Sequence, residues 1–325
     1  MADTLRISPC NICPRMCGAH RSEGQRGRCG ADDRVFAARA ALHFWEEPVI
    51  SGERGSGTVF FDRCPLGCIY CQNAEIASRD IGNEMTSARL AQVFIALQEK
   101  GALNINCVTP THHSLAIAEA VAIARKAGLV IPIVWNTSGY ERCETIRALA
   151  ETVDVYLADF KYADEQLAER YSHACDYPGV AHAAIRAMVE TAGAPEFDEE
   201  DGQPRMTGGV IVRHMVLPGA VEASKKALKL LYGAFGNDVL YSIMNQYTPV
   251  LVKRAESGDT SAKNAVENFP ELAHRVTGEE YESVLDYADA LGIEDYFWQE
   301  GPAAIESFIP AWDGTGLDVQ GADKK

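Results

Sequence analysis

From about residue 56, short apolar, β-rich runs alternate with longer amphipathic stretches. That alternation confines the chain to architectures built on a parallel sheet. The strand candidates are residues 58–61, 105–108, 130–134, 153–158, 210–216 and 239–243. Several are continuous apolar runs, as strands covered on both faces should be. Between them, 86–100 opens on Thr86 and Ser87 and stops at Gly101, a suitable cap at each end. Its Leu90, Val93, Phe94 and Leu97 share one face. Residues 115–127 end at Gly128 in the same way, 143–151 and 220–235 supply further crossovers, and one or two helices fit between Ala163 and Thr191. The α/β pattern suits a partial (β/α)6 barrel or an open doubly wound sheet. Both place chemistry at the C-terminal ends of the strands.

The flanks differ from this middle. Residues 1–50 are rich in Cys, Arg and Gly and read as a small Cys-rich metal-binding unit, stapled rather than held by a core of its own. Short runs within it, such as 35–38, suit strands. Residues 51–250 form the main α/β unit. Residues 251–325 read as a helical C-terminal extension, with an apolar stripe at Tyr281, Val284, Leu285 and Ala288, and a polar tail from Asp313 that is expected to be disordered. The acidic segment 194–207, with Pro and Gly, reads as a surface excursion. A formal net charge of −16 argues against a nucleic-acid-binding surface as the main function. No apolar run approaches the ~18 residues of a membrane span, and the first residues lack a secretory pattern, so a cytoplasmic protein is expected.

Of ten cysteines, seven fall in two groups, Cys10, Cys13, Cys17 and Cys29, then Cys64, Cys68 and Cys71. In a reducing compartment such clusters point to metal ligation rather than disulfides. Cys107 reads as a small apolar core residue of a strand. The second group follows the first main strand as Arg63-Cys64-Pro65-Leu66-Gly67-Cys68-Ile69-Tyr70-Cys71. Thiolates suit iron–sulfur clusters, and this spacing lets one loop wrap three corners of a cubane. Three ligands for four irons leave one iron open to a substrate. A zinc site completed from elsewhere is the competing reading, but no partner pair follows at a useful distance. The first group is a complete four-thiolate set, which suits structural Zn or an auxiliary Fe-S cluster. Being saturated, it is expected to be separable from chemistry at the second group. Arg15, Arg21 and Arg26 among its thiols suit charge compensation or docking.

The three-cysteine loop, with an aromatic residue before its last cysteine, resembles the radical S-adenosylmethionine (SAM) superfamily. The stretch GSGTVFFDRCPLGCIYCQN resembles its pyruvate formate-lyase-activating relatives. CNICPRMCGAHR, HFWEEPVISG, VTPTHH, IVWNTSGYE, DVYLADFKY, VRHMVLPG and MNQYTP resemble the PflX-like branch more narrowly. The resemblance implies a partial (β/α)6 barrel and a 4Fe-4S cluster on Cys64, Cys68 and Cys71. The open iron would chelate the amino and carboxylate groups of S-adenosyl-L-methionine. Reductive cleavage would give a 5′-deoxyadenosyl radical that abstracts hydrogen, an oxidoreductase chemistry fed by flavodoxin or ferredoxin. The implied substrate is a glycyl-radical enzyme, with a small molecule or another protein side chain as the alternative and a non-catalytic electron-transfer protein as the remaining one.

By the same resemblance, Tyr70 contacts adenine, and Asp159 and Lys161, on one side of a strand end, belong to the SAM and cation site. A structural ion pair is the plainer reading of those two. Asn136 and Thr137 suit the methionine end of SAM or an ordinary helix-capping turn. Arg213 is the inward residue of its strand, and His214 a packed one. The activating enzymes carry Gly-Gly-Glu at the second strand end, which here reads Thr109-Pro110-Thr111-His112-His113. A Thr hydroxyl or a His nitrogen would have to substitute.

Overall fold

A computed structural model describes residues 4–299 and 309–318. Ten strands form one sheet: β1 (Val35–His43), β2 (Ser56–Phe61), β3 (Asn83–Met85), β4 (Ile105–Val108), β5 (Ile133–Thr137), β6 (Val155–Asp159), β7 (Glu196–Glu200), β8 (Gln203–Met215), β9 (Leu240–Met244) and β10 (Tyr296–Phe297). The order is β10-β9-β8-β6-β5-β4-β2-β1-β3, with β7 paired to β8. From β2 to β10 along this path every neighbouring pair is parallel; β1, β3 and β7 add antiparallel pairings. The sheet is open, with β10 and β3 at its ends, as a partial barrel requires and a closed one does not.

Period-two alternation gives the parallel strands two different faces. On the outer face Ile105, Cys107, Ile133, Trp135, Tyr156, Val210, Val212 and Tyr241 join the helices Ser87–Glu99, Ser114–Lys126, Tyr177–Ala192 and Val221–Phe235 in the main core. Cys107 is fully buried there, in the apolar role expected for it. The inner face is plugged by the short helix Pro48–Ser51. Its Val49 and Ile50 pack on Val134, Val155, Leu157, Met206 and Ile211. One step further along the same strands, the inner face turns polar at Asn136, Asp159, Arg213 and Ser242.

Four local readings change. The third expected strand lies later, as β5, because Pro132 has no N–H to give a ladder and Val130 is exposed. The 194–207 excursion is the β7–β8 hairpin, turned by Asp201 and Gly202, both at positive φ (52° and 76°), as a type I′ turn needs. β1 runs to His43 and shares the main sheet, so the thiol unit proper is residues 4–34. The polar tail expected to be disordered is paired in part: Gly314 N–H donates to Ala38 O at 3.0 Å, Ala40 N–H donates to Thr315 O at 2.9 Å, and Leu317 is buried. The open edge of β1 supplies these partners. The rest of that tail, 319–325, lies outside the described residues. After β9 come the helices Val250–Glu256, Thr260–Asn268 and Gly278–Leu291. Tyr281, Val284 and Ala288 are buried and Leu285 is partly buried against the core.

Candidate active site on the inner face of the sheet

β2 is buried at all six positions and delivers the chain to a fixed point. Asp62 follows, its Oδ2 accepting from the N–H groups of Ile81 (2.6 Å) and Gly82 (2.8 Å). Arg63 turns at φ 73° with its guanidinium on Asp80 at 2.6 Å, and Gly67 turns again at φ 74°. Between them the Cys64–Cys71 loop presents all three thiols to one cavity of about 620 Å³, a volume in the range of small-molecule sites. Burial, with Cys68 beside it, pushes the Cys64 thiol up to about 11; burial, with Cys68 and Cys64, pushes Cys71 up to about 12. Thiols this weakly acidic become thiolates on binding a metal and release their protons then. The Ser172 hydroxyl donates to Cys68 Sγ at 3.1 Å. Among the described residues no three His, Cys, Asp or Glu side chains converge as ligands of a single ion would. A cubane holds its cysteines on separate irons, so a loop presenting spaced thiols to one cavity fits it.

The same cavity is lined by Tyr70, Asn136, Thr137, Asp159, Lys161 and Arg213. The expected residues therefore meet in one place. Tyr70 OH accepts from Tyr162 OH at 2.7 Å, and its ring meets Tyr171 and Tyr247 edge-on. With the ring held this way, the Tyr70 backbone is the part left for a ligand. The floor is ionic. Lys161 Nζ lies 2.6 Å from Asp159 Oδ2 and Arg213 Nε 2.8 Å from Asp159 Oδ1. Arg213 also donates to Glu46 Oε2 (3.0 Å) and Asn136 Oδ1 (2.7 Å). Glu46 Oε1 accepts from Asn106 and Asn136, both at 3.1 Å. Burial works against ionised Asp159, yet Arg213 and Lys161 hold its carboxyl below the usual range. Burial raises the carboxyls of Glu46 and Glu47, with Arg213 opposing.

Glu46 and Glu47 were missed by sequence reasoning as site residues. The signal was present, two carboxylates inside an apolar stretch directly before the Pro48 of the plug helix. Glu47 is 8% exposed, lines the cavity, and its Oε2 has no protein partner. The floor thus gathers the carboxyl groups of Glu46, Glu47 and Asp159 around Lys161 and Arg213.

The His pair is not part of this cavity. His112 and His113 are buried outside it, and His112 Nε2 lies 2.8 Å from Asp62 O. The local 3-10 turn at Thr111–His113 carries both rings away, so neither stands in for the missing Gly-Gly-Glu; Thr109, at φ 58°, does line the cavity. His214 is a packed histidine, with Nδ1 at 2.7 Å from Phe160 O. Behind Thr137 lies another missed residue. Glu141 Oε1 accepts from Thr111 (2.6 Å), Thr137 (2.7 Å) and Trp135 (3.3 Å). Burial lifts its carboxyl to about 7 despite these donors. A carboxyl raised on folding stabilises the fold below its unfolded pKa of ~4.3. That contribution is lost as pH rises through about 7, on the order of 3 kcal/mol over the span. By calorimetry the parent's Tm should therefore fall several degrees more between pH 5 and 8 than that of Glu141→Gln. Parallel Tm curves would show Glu141 ionised throughout.

The N-terminal thiols share one small unit, although here too no three converge as ligands of a single ion would among the described residues. Gly27 leaves the space between two of them: a Cβ there would stand 3.3 Å from Cys17 Sγ and 3.6 Å from Cys29 Sγ. Cys10 and Cys13 are buried close by, and burial, with Cys29 and Cys10 as neighbours, raises the Cys13 thiol to about 12. Burial opposes ionised Cys17, but hydrogen bonds from the Ala19 and Arg28 backbone and the Cys10 thiol bring it below the usual value. The buried Arg21 fixes this unit, donating to Asp32 O (2.6 and 2.9 Å) and His112 O (2.8 Å). Among the described residues no helix is long and apolar enough to cross a membrane.

The uncharacterized protein MJ0674 of Methanocaldococcus jannaschii is 27% identical over 296 residues, 88% of this chain and 75% of that protein. Among solved structures, Streptococcus suis SuiB bound to precursor peptide SuiA has a TM-score of 0.47 at 16% identity, covering 73% of this chain and 46% of SuiB. SuiB bound to S-adenosylmethionine has a TM-score of 0.47 at 15% identity, covering 73% of this chain and 48% of SuiB. The chain spans about half the length of those structures. Residues 58–194, which include the three-cysteine loop and the Asp159–Lys161 strand end, match the Radical SAM superfamily model, so this chain carries a radical SAM domain.

Proposed function

We propose that this protein is a radical SAM enzyme whose substrate is a polypeptide, a glycyl-radical protein being the first choice. The observation that carries the chemistry is a single cavity lined by three thiols of one loop and by a buried ionic floor. When bound, the cluster and SAM supply reductive cleavage of the S–C5′ bond and a hydrogen-abstracting 5′-deoxyadenosyl group. The chain's own residues bind, orient and shield. Cys64, Cys68 and Cys71 hold the cluster. The Tyr70 backbone takes adenine. Asp159, Lys161 and Arg213, with Asn136 and Thr137, take the polar groups of SAM. Fixed charges of this kind lose less to reorganisation than water would.

The polypeptide reading rests on the rim. Phe44, Trp45 and Trp298 line the mouth and are about half exposed, at 49%, 59% and 52%. Exposed aromatics clustered around a site mark macromolecular contact more often than a small-molecule pocket. Kinship with the PflX-like branch, an activase role, flavodoxin or ferredoxin as electron donor, and Zn or a second Fe-S cluster on Cys10, Cys13, Cys17 and Cys29 complete the reading. The test is isotopic. A glycyl-radical protein bearing deuterated glycine, incubated with reduced enzyme and SAM, should pass deuterium into 5′-deoxyadenosine and develop a glycyl radical signal. Cleavage of SAM with neither result would turn the assignment to a small molecule or another side chain.

A further inference from the structure

Arg15 sits between Cys13 and Cys17, yet its guanidinium is spent on the other cysteine group. Nε donates to Pro65 O at 3.0 Å and Nη2 to Leu66 O at 3.1 Å. These are the two residues that follow Cys64 in the cluster loop. Nη2 also donates to Ser172 O at 3.1 Å, and Nη1 to His173 O at 2.6 Å. Those carbonyls lie at the end of the helix Glu165–Ser172, where His173 turns left-handed at φ 48° and leaves carbonyls without intrahelical partners. A cation is favoured at that end. Ser172 is in turn the residue whose hydroxyl donates to Cys68 Sγ. The Arg15 fork also lies 5.1 Å over the Tyr140 ring, which limits its swing.

The thiol unit has its own anchors away from the loop. Thr145 Oγ1 donates to Ile12 O at 2.6 Å, Arg142 donates to Asn11 O, and Arg21 donates to His112 O. These hold the unit on the turn after β4 and on the start of the helix Cys143–Ala148. Arg15 is therefore a strut from an anchored base. It lies in sequence between two thiols of that unit, and its donors reach the backbone on one side of the cluster loop and the residue that donates to Cys68 on the other. A lysine keeps the charge but has no planar fork to serve four carbonyls. The strut runs against the separability expected from coordination number alone.

We infer that Arg15 is a positioning residue for the catalytic cluster, through which the state of the Cys10, Cys13, Cys17 and Cys29 site sets the geometry of the Cys64–Cys71 loop. The inference rests on the radical SAM reading of that loop. Three variants of the full chain, reconstituted anaerobically, test it: Arg15→Ala, Arg15→Lys and Cys17→Ser, with the double variant Arg15→Ala/Cys17→Ser. Readouts are SAM affinity, the SAM-induced change in the reduced cluster's paramagnetic spectrum, and amide exchange over residues 64–71. Each single variant should keep a cluster on the second cysteine group. Each should bind SAM at least tenfold more weakly, blunt the spectral change and exchange faster in the loop. Arg15→Lys should rescue little, because the fork and not the charge does the positioning. The double variant should be no worse than Arg15→Ala, since both act through one contact.

If a single variant fails to fold, Ser172→Ala removes the donor to Cys68 together with the hydroxyl's contact to Tyr162 OH at 2.9 Å. It should lower the reduction potential of the cluster, because hydrogen bonds to cluster sulfurs raise it. Parental SAM affinity and loop exchange in Arg15→Ala, effects of Arg15 and Cys17 that simply add, or a Ser172→Ala potential equal to the parent's would each overturn the inference. A parent that assembles no SAM-responsive cluster would instead overturn the reading of the site beneath it.

Discussion

Cys68→Ala is expected to lose the iron–sulfur absorption and all formation of 5′-deoxyadenosine. The same result is expected for Cys64→Ala and Cys71→Ala. The loop offers three thiols to the cavity and no fourth. Removing one leaves two ligands for a cubane that needs three. Cys68 is the most informative of the set because the Ser172 hydroxyl points at its sulfur. A role limited to packing predicts a stable, cluster-loaded Cys68→Ala protein. The buried, raised thiols of Cys64 and Cys71 would then cost little as neutral core groups. Iron and sulfide analysis, read beside product analysis, separates the two accounts. Normal SAM cleavage by Cys68→Ala would remove the assignment of this loop.

The second large effect belongs to the ionic floor. Asp159→Asn and Lys161→Ala should bind SAM roughly ten- to hundredfold more weakly, with iron content unchanged. A hydrogen bond to a charged group contributes about 1.5–3 kcal/mol, and Asp159 joins both Arg213 and Lys161 at under 3 Å. Asn is the better replacement at 159. It keeps the shape and avoids leaving two buried cations with an empty space between them. Because the floor is buried, the loss should persist in high salt, where exposed pairs are screened. Equilibrium dialysis of labelled SAM reads it. Parental affinity in both variants would make the pair a brace for β6 and β8 only.

Much of this arrangement is legible in the sequence, for identifiable reasons. Continuous apolar runs between capped amphipathic stretches mark buried parallel strands and their crossovers. The structure has those elements, with Thr86 accepting from Arg89 N–H as the cap of the helix Ser87–Glu99. Strand ends followed by polar residues located Asn136, Asp159 and Arg213, which meet because β5, β6 and β8 are neighbours in register. The three-cysteine spacing is local, so no tertiary knowledge was needed.

What escaped was non-local or lacked apolar contrast. Glu46 and Glu47 enter the site because the Pro48–Ser51 plug fills the inner face, and nothing in a linear pattern says which segment plugs a barrel. Glu141 is buried where Thr111, from the turn after β4, meets Trp135 and Thr137 of β5. β7 consists of exposed acidic residues around Phe197, so it carries no alternation; only the Asp201-Gly202 turn signals it. β10 is two residues long, too short for any period. His112 and His113 misled because strand-end polarity reads the same whether a turn faces the cavity or away from it.

The central claim is that three protein thiolates leave one iron of a 4Fe-4S cluster open, and that SAM takes that position. Mössbauer spectroscopy of protein reconstituted with iron-57 tests this directly, with and without SAM. The account predicts four irons per catalytic cluster, of which one alone shifts to a higher isomer shift, typical of added nitrogen and oxygen ligands, when SAM is added. Spectra unchanged by SAM, in protein with a full cluster on Cys64, Cys68 and Cys71, would contradict it.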